Sequence, residues 1–246
     1  MKVEGAIALV TGANGGIGKH YIEALQAAGA AQIYAGARNP DSLAEIVSTD
    51  PKRIIPVQLD IVDSESINIA AAKCPDVTLI VNNAGIAKYQ GLIAAPDLIS
   101  ARAEMEVNYF GTLEMCRAFA PILKANGGGA IVNMQSILAL VNFPKNGGYS
   151  ASRAASLSMT QGIRAELAAQ GTLVVAVLPG TVDTSMSKND PPPKVAPAEV
   201  ARAALQAVIE GIEEVYPGEQ ATEMAAQLLK DPKSIEKWMA TMLPDT

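Results

Sequence analysis

Short apolar runs alternate with longer amphipathic stretches along this chain, and this alternation limits the possible folds more than any other feature. The runs have the length of β-strands and are rich in Val, Ile, Leu and Ala, at residues 6–10, 32–36, 54–59, 77–81, 130–133 and 173–178. Helical patterns separate them, at residues 16–28, 41–47, 64–73, 97–124, 149–169 and 198–212. Apolar strands that alternate with helices are typical of a parallel sheet with helices on both faces. The pattern therefore predicts an α/β protein with a doubly wound parallel sheet in three layers, α/β/α.

The chain has 246 residues, which is the length of one large α/β domain, and we expect residues 1–246 to form a single one. Asp63 is a candidate helix N-cap, and Pro197 lies near the first turn of a later helix. The proline-rich segment 185–196 cannot be helical, and it is a candidate lid over a site. The remaining predicted elements are a short strand and two helices, at residues 214–216, 219–229 and 233–242.

Charge and cysteine content exclude several classes of function. The formal net charge is -6 and no dense Lys/Arg run occurs, which argues against a nucleic-acid surface. No stretch is long and apolar enough to span a bilayer, and the run at 6–10 is too short for a secretion signal. Cys74 and Cys116 lie far apart and His20 has no nearby partner, so neither a disulfide framework nor a metal site is predicted. We expect a cytoplasmic protein without membrane or nucleic-acid partners.

A glycine-rich turn follows the first apolar run and leads into the first helical pattern. It contains Gly12, Asn14, Gly16, Ile17 and Gly18. Glycines between a strand and a helix let a dinucleotide approach the backbone, and the helix N-terminus offers free N–H groups to its pyrophosphate. Taken alone, such glycines equally fit a turn that needs positive φ angles.

Several further motifs follow the glycine turn in a fixed order: the sequence Asn-Asn-Ala-Gly at 82–85, then Asn108, Ser136, the pair Tyr149 and Arg153, and Pro179-Gly180. Together with residues 11–18 they resemble the short-chain dehydrogenase/reductase family over residues 2–184, and more loosely beyond. The resemblance implies a Rossmann sheet, a nicotinamide cofactor, and hydride exchange with an alcohol or carbonyl substrate. Relatives are mostly dimers or tetramers, so it also implies a homodimer or homotetramer.

The resemblance assigns cofactor contacts to most of these motifs. It places the glycine turn at the phosphates and adenosine ribose, and it gives Tyr149 and Arg153 contacts to the cofactor as well. The other implied cofactor-binding residues are Arg38, Asp60, Ile61, Asn83, Ala84, Gly85, Pro179, Gly180, Val182 and Thr184. Without the resemblance, Asp60 reads as a turn or cap residue and 82–85 as a simple turn.

The end of the second strand indicates which dinucleotide binds. NAD-preferring relatives tend to carry aspartate where this chain has Ala37, and Arg38 can pair with a 2′-phosphate. This favours NADP over NAD. The second basic residue of many NADP-preferring relatives is replaced by Gly15, and Arg38 can also stack on adenine or simply face solvent, so NAD stays the alternative.

The resemblance also implies the catalytic roles. Tyr149 would act as acid or base, Ser136 would orient the carbonyl, and Asn108 would hold a water of the proton relay. Arg153 would stabilise the phenolate and bind ribose hydroxyls. Outside this family context, Ser136 reads as a loop hydroxyl, Asn108 as a polar residue in mid-helix, and Tyr149 and Arg153 as an exposed helix pair.

Arg153 departs from the family, which normally has lysine at this position. Arginine keeps the positive charge but is effectively never deprotonated, so it can act electrostatically and not as a link in a proton relay. A non-catalytic dinucleotide sensor is therefore the alternative to an NADP-preferring carbonyl reductase or alcohol dehydrogenase. Apolar residues near the motifs favour a hydrophobic ketone or secondary alcohol: Ile137, Leu138, Phe143 and Met186.

Overall fold

A computed structural model describes residues 1–244, and a seven-stranded parallel sheet forms its centre. The strand order is β3-β2-β1-β4-β5-β6-β7, which is the Rossmann order with one strand added at the edge. The strands are β1 (Ile7–Thr11), β2 (Gln32–Ala37), β3 (Ile54–Gln58), β4 (Leu79–Asn82), β5 (Gly129–Met134), β6 (Thr172–Val177) and β7 (Glu214–Val215). The predicted fold class and the predicted strands are confirmed.

Helices cover both faces of this sheet. They are α1 (Gly16–Ala27), α2 (Ala44–Thr49), α3 (Ser64–Lys73), α4 (Ile99–Met105), α5 (Thr112–Ala125), α6 (Gly147–Ala168), α7 (Pro197–Glu210), α8 (Glu219–Lys230) and α9 (Pro232–Met239). Each face has its own apolar core. Within β1, Val10 packs in the core that contains Leu25 of α1 and Val208 of α7, and Leu9 packs in the opposite core with Phe119 of α5. Successive strand residues point to opposite faces, which explains why the buried strands read as continuous apolar runs.

The predicted helix over 97–124 is not one regular helix. A π-helical segment, Glu106–Gly111, separates α4 from α5, and it contains the buried Asn108. A Cβ on Gly111 would lie 2.7 Å from the carbonyl oxygen of Ile61, so the helix backbone packs directly against the turn after β3. π-Helical turns are frequent at functional sites, and this one turns Asn108 towards the interior.

Smaller differences concern helix boundaries. A 3₁₀ turn, Pro40–Leu43, precedes α2 in place of the start of the predicted helix 41–47, and the Asn39 side chain caps it. The two predicted helix starts are confirmed, because Asp63 accepts hydrogen bonds from the N–H groups of Glu65 and Ser66, and Pro197 is the first residue of α7.

The two C-terminal helices pack against the turn that follows β5. Met224 of α8 and Ile235 and Met239 of α9 form an apolar cluster with Ile137 and Val141. The segment 185–196 contains no helix, as predicted, and Val182 pairs with Val195 across its base. No helix among residues 1–244 is long and apolar enough to cross a membrane.

Candidate functional site

A large cavity of about 710 Å³ lies at the carboxyl ends of the central strands. It spans the point between β1 and β4 where the strand order reverses, which is the usual ligand site of doubly wound sheets. All but two of the predicted site residues line it: Gly12, Asn14, Gly16, Ile17, Arg38, Asp60, Ile61, Asn83, Ala84, Gly85, Ser136, Tyr149, Arg153, Pro179, Gly180, Val182 and Thr184. Gly18 and Asn108 lie behind its wall.

The glycine turn forms one end of the cavity and is held in place by the turn after β4. The hydroxyl of the buried Thr11 accepts hydrogen bonds from the N–H groups of Asn83 and Ala84, at 2.9 and 3.0 Å. Gly12 and Gly16 adopt φ angles of +62° and +51°, which side-chain-bearing residues rarely adopt. The Asn83 side chain adds hydrogen bonds to the carbonyls of Thr11 and Gly12, so the two turns are locked together where they line the cavity.

Gly18 acts within this turn and not on the cavity surface. A Cβ at Gly18 would overlap the carbonyl oxygen of Gly12 and lie 2.8 Å from Nδ2 of Asn83. The missing side chain therefore lets α1 approach the turn closely. Within the described chain no side chain caps α1 and its first turn carries no acidic residue. The Gly18 N–H donates to the Gly15 carbonyl at 3.0 Å, and the preceding N–H groups of the first turn, at Gly16 and Ile17, are available to an anion.

The ends of β2 and β3 form the wall at this end of the cavity. Ala37, Arg38 and Asn39 line it after β2, and the Arg38 side chain is exposed. Among residues 1–244, no acidic side chain of β2 or of the turn after it lines the cavity. Asp60 follows β3, and its Oδ1 accepts a hydrogen bond from the Val62 N–H at 3.2 Å, so it forms a local turn as well as lining the cavity.

Ser136 follows β5, lines the cavity and is only 6% exposed. Its Oγ accepts a hydrogen bond from the Leu138 N–H at 3.1 Å, which leaves the hydroxyl proton free to be donated towards the cavity. Beneath it, Nε2 of the buried Gln135 donates to the hydroxyls of Ser156 and Thr160 on α6. These bonds fix α6, and with it Tyr149, against the end of β5.

Tyr149 and Arg153 leave α6 one turn apart, and both line the cavity. The guanidinium carbon of Arg153 lies 5.2 Å from the centre of the Tyr149 ring, within the range of a cation–π interaction. Arg153 is 4% exposed, and its Nη1 donates to the Met134 carbonyl at 2.7 Å. The pair is therefore not an exposed helix pair, because the cation is buried against the phenol.

Gly85 provides the space that arginine needs at position 153. A Cβ on Gly85 would overlap Nη2 of Arg153 and would lie 3.3 Å from its Cζ. Asn108 supports the same region from behind: its Oδ1 accepts from the Ile86 N–H, and its Nδ2 donates to the Ile86 carbonyl and to the Ser152 hydroxyl, each at 2.9 Å. Asn108 is fully buried, so it faces neither solvent nor the cavity.

A nicotinamide dinucleotide fits the groups that face this cavity. The uncapped N-terminus of α1 suits a pyrophosphate. Nε of Arg153 is buried and has no hydrogen-bond partner among residues 1–244, so it is available to a ribose hydroxyl. Among residues 1–244, no group of three or more His, Cys, Asp or Glu side chains is placed to hold a metal ion.

Other residues that line the cavity were missed from the sequence. The C-terminal helices contribute Gln220, Met224, Trp238 and Met239, the segment after α9 contributes Met242, and two loops contribute Tyr89 and Asp190. Gln220 holds the turn after β6, since its Oε1 accepts from the Thr181 N–H at 2.8 Å and a Cβ on Gly180 would overlap it. These residues follow no motif and lie far from Tyr149 and Arg153 in the sequence. The only available signal concerned the methionines and Trp238, which belong to the apolar faces of the terminal segment.

Comparisons with known proteins agree with this arrangement. The short chain dehydrogenase family model matches residues 6–194. A crystal structure of a short chain dehydrogenase from Burkholderia cenocepacia in complex with NADP is 47% identical, with a TM-score of 0.92, and the match covers 97% of this chain and 99% of that one.

Two curated relatives extend the comparison. The short chain dehydrogenase mpl6 of Monascus purpureus is 37% identical over 202 residues, which is 77% of this chain and 69% of that protein. The galactitol 2-dehydrogenase (L-tagatose-forming) of Cereibacter sphaeroides is 35% identical over 194 residues, which is 76% of this chain and 75% of that protein.

Proposed function

Because the chain belongs to the short-chain dehydrogenase/reductase family and is therefore an NAD(P)-dependent oxidoreductase of alcohol or carbonyl groups, we propose that it is an NADP-preferring carbonyl reductase or alcohol dehydrogenase. The observation that carries the proposal is that Ser136, Tyr149 and Arg153 share one cavity with the glycine turn. A hydride donor and a proton donor must meet at one carbonyl, and this cavity supplies a binding site for the first beside a phenol for the second.

In the direction of reduction, the Ser136 hydroxyl donates a hydrogen bond to the substrate carbonyl oxygen, and Tyr149 gives that oxygen its proton. Bound NADPH supplies the hydride. In the reverse direction, Tyr149 accepts the proton of the alcohol. Ser136 and Tyr149 act from fixed positions, since Ser136 is bonded to the turn after β5 and Tyr149 packs against the buried Arg153.

Arg153 acts through its charge in this proposal. Its guanidinium lies beside the Tyr149 ring, where its positive charge stabilises the negative charge that develops on the phenol oxygen as the proton is transferred. Since arginine does not release its proton near neutral pH, proton exchange between Tyr149 and solvent bypasses this side chain. The buried Nε is the atom that would hold a ribose hydroxyl.

Asn108 is a positioning residue in the proposed enzyme. Its amide is bonded to the backbone of Ile86 and to Ser152, and its backbone carbonyl accepts from the Thr112 hydroxyl at 3.1 Å. It therefore joins the π-helical segment to the loop after β4 and to α6, which carries the catalytic pair. We propose that it acts through these contacts.

The preference for NADP is supported at the end of β2. A carboxylate there would repel a 2′-phosphate, and none lines this part of the cavity within residues 1–244, while the exposed Arg38 supplies a positive charge. The similar Burkholderia cenocepacia structure contains NADP. We expect Arg38→Ala to lower kcat/KM for NADPH at least 10-fold and that for NADH less than about 2-fold, since a charge-assisted hydrogen bond is worth ~1.5–3 kcal/mol.

The substrate end of the cavity supports a hydrophobic ketone or secondary alcohol. It is bordered by apolar side chains from the turn after β5, the segment 185–196 and the terminal helices: Ile137, Leu138, Phe143, Met186, Met224, Trp238, Met239 and Met242. Methionines are flexible and polarisable, so this wall can adapt to substrates of different shape.

Two further proposals concern the surroundings of the site. The segment 185–196 borders the cavity through Met186 and Asp190, and we propose that it is the substrate lid. Ile99 and Phe110, on and beside α4, are 72% and 47% exposed, which supports a homodimer or homotetramer formed through α4, α5 and α6. Light scattering of wild type and of a Phe110→Glu variant tests this assembly, which the charge should weaken.

The test of the proposed function compares initial rates with NADPH and NADH over a varied panel of ketones. We expect oxidation of NADPH with several apolar ketones and a higher kcat/KM than with NADH. Binding of NADPH, seen as a change in its fluorescence, without consumption by any ketone or formation from any alcohol would contradict the proposal and favour a dinucleotide sensor.

A further inference from the structure

The loop 86–90 is held at the cavity by buried side chains that bind its backbone. Besides Asn108 at Ile86, the buried Glu104 accepts from the Lys88 N–H at 2.7 Å, and Oδ1 of the buried Asn146 accepts from the Tyr89 N–H at 3.1 Å. The loop is therefore fixed from α4, the π-helical segment and the start of α6 together. Fixed loops of this kind position side chains for binding.

Tyr89 is the side chain that this loop presents. Its φ angle is +53°, and among residues 1–244 it is the only residue other than glycine with a positive φ. Such a conformation costs free energy in a bulky residue and persists only where the surroundings impose it. Tyr89 lines the cavity and is 41% exposed, so its side chain lies at the cavity and not in the hydrophobic core.

The phenol of Tyr89 is oriented by a second loop. Its hydroxyl donates to Oδ2 of Asp190 at 2.8 Å, across the cavity mouth from the segment 185–196. Burial and the Asp190 carboxylate raise the pKa of Tyr89, and Tyr89, Asp190 and Tyr149 line the same cavity. The only proton of the hydroxyl is used by the carboxylate.

A hydroxyl whose proton is donated elsewhere offers only lone pairs to a ligand. The Asp190 carboxylate likewise only accepts hydrogen bonds. Tyr89 and Asp190 line the same cavity as Ser136 and Tyr149. This part of the cavity therefore favours a substrate that donates a hydrogen bond there, and it leaves an ether or a carbonyl oxygen at the same place unpaired. A site that is built to pair with a donor strongly disfavours the analogue that lacks it.

We propose that Tyr89 and Asp190 are specificity-determining residues that select ketones carrying a hydroxyl group on the carbon beside the carbonyl, and the corresponding vicinal diols in the reverse direction. The inference rests on the proposed function and names its substrate class. The apolar wall formed by the terminal helices then holds the rest of the molecule.

The experiment uses matched aliphatic and aromatic ketones, each as the α-hydroxy, the α-methoxy and the unsubstituted form, with NADPH as the reductant. We expect wild type to favour the hydroxy over the methoxy form by about 10-fold in kcat/KM. This ratio corresponds to the free energy of one hydrogen bond to a charged acceptor. In Tyr89→Phe the ratio falls to about 2-fold or less. Asp190→Ala lowers it as well, because the freed phenol proton can then be donated to the ether.

Tyr34→Phe is the matched control. The Tyr34 hydroxyl also donates to an aspartate, Asp76, at 2.9 Å, but neither residue lines the cavity. Its hydroxy-to-methoxy ratio should equal that of wild type, and turnover of the unsubstituted ketones confirms that each variant folds and reacts.

Two results would overturn the inference, and only the second would also overturn the proposed function. If Tyr89→Phe keeps the wild-type ratio while all ketones are still reduced, the assignment of Tyr89 and Asp190 is wrong and the proposed function stands. If wild type binds NADPH but reduces no member of the series, the proposed function fails and the inference fails with it.

Discussion

Replacing Gly85 by alanine tests whether the arginine at position 153 depends on the space that this glycine leaves. The new Cβ would overlap Nη2 of Arg153 and would lie 3.1 Å from Oδ1 of Asn108. Gly85 does not have a positive φ, so its backbone accepts alanine without strain. The perturbation therefore acts on the guanidinium.

The expected cost follows from the contacts that hold Arg153. To reach an ordinary contact distance, the guanidinium must move by about 1 Å. This movement would lengthen its 2.7 Å hydrogen bond to the Met134 carbonyl beyond hydrogen-bond distance. Losing one hydrogen bond of a buried charged group costs ~1.5–3 kcal/mol. We therefore expect Gly85→Ala to lower the free energy of unfolding by about 2 kcal/mol, and to lower kcat because the charge moves away from Tyr149.

Urea unfolding measures this cost, and a double-mutant cycle with Arg153→Lys isolates its cause. Lysine lacks Nη2, so in the Arg153→Lys background the alanine should cost at least 1 kcal/mol less. Gly162→Ala is the control: it lies within α6, no described atom lies within 4 Å of its added Cβ, and the change should stabilise the protein by ~0.5–1 kcal/mol. An equal cost of Gly85→Ala in both backgrounds would refute the reasoning.

Two further variants test the support of the loop after β4. Asn108→Ala leaves the N–H and the carbonyl of Ile86 without their hydrogen-bond partner. At ~1–3 kcal/mol for each unsatisfied group, we expect urea unfolding to show a loss of at least 2 kcal/mol, and a loss below about 1 kcal/mol would contradict the contacts. Burial raises the pKa of Glu104, so its stabilising contribution is complete below the unfolded pKa of about 4.3 and is lost as the pH rises through the folded pKa. The unfolding free energy of wild type relative to Glu104→Gln should therefore fall over that pH range, whereas a difference independent of pH would show that the carboxyl is not perturbed.

The sheet and the cofactor end of the site were predictable because their signals are local. Each central strand is buried on both faces, so its sequence is a continuous apolar run that needs no knowledge of its neighbours. The glycine turn is equally local, since the φ angles of Gly12 and Gly16 exclude most other residues. These elements lie where the sequence pattern placed them.

The π-helical segment was not predictable, because distant contacts determine it. Its hydrophobic pattern fits a regular helix, and the departure is visible only where Gly111 meets Ile61 and Asn108 binds Ile86. The burial of Arg153 has the same origin, since the charge is accepted only because Gly85, far away in the sequence, leaves room for it.

The substrate end of the cavity was the least predictable part. Trp238 and Met239 line it from α9, which carries none of the sequence motifs, and Tyr89 bonds to Asp190, 101 residues away along the chain. Such pairs depend on the tertiary packing of the terminal helices and of the segment 185–196. No spacing pattern in the sequence predicts them.

The most direct test of the central claim measures NADPH oxidation by wild type, Tyr149→Phe and Arg153→Lys with one ketone substrate, after NADPH binding has been confirmed for each by fluorescence. If Tyr149 transfers the proton, Tyr149→Phe should bind NADPH but lose at least 100-fold in kcat, in line with the ~10²–10⁴-fold contribution of general acid catalysis. Arg153→Lys keeps the positive charge and should remain active. Equal turnover in wild type and Tyr149→Phe would contradict the account.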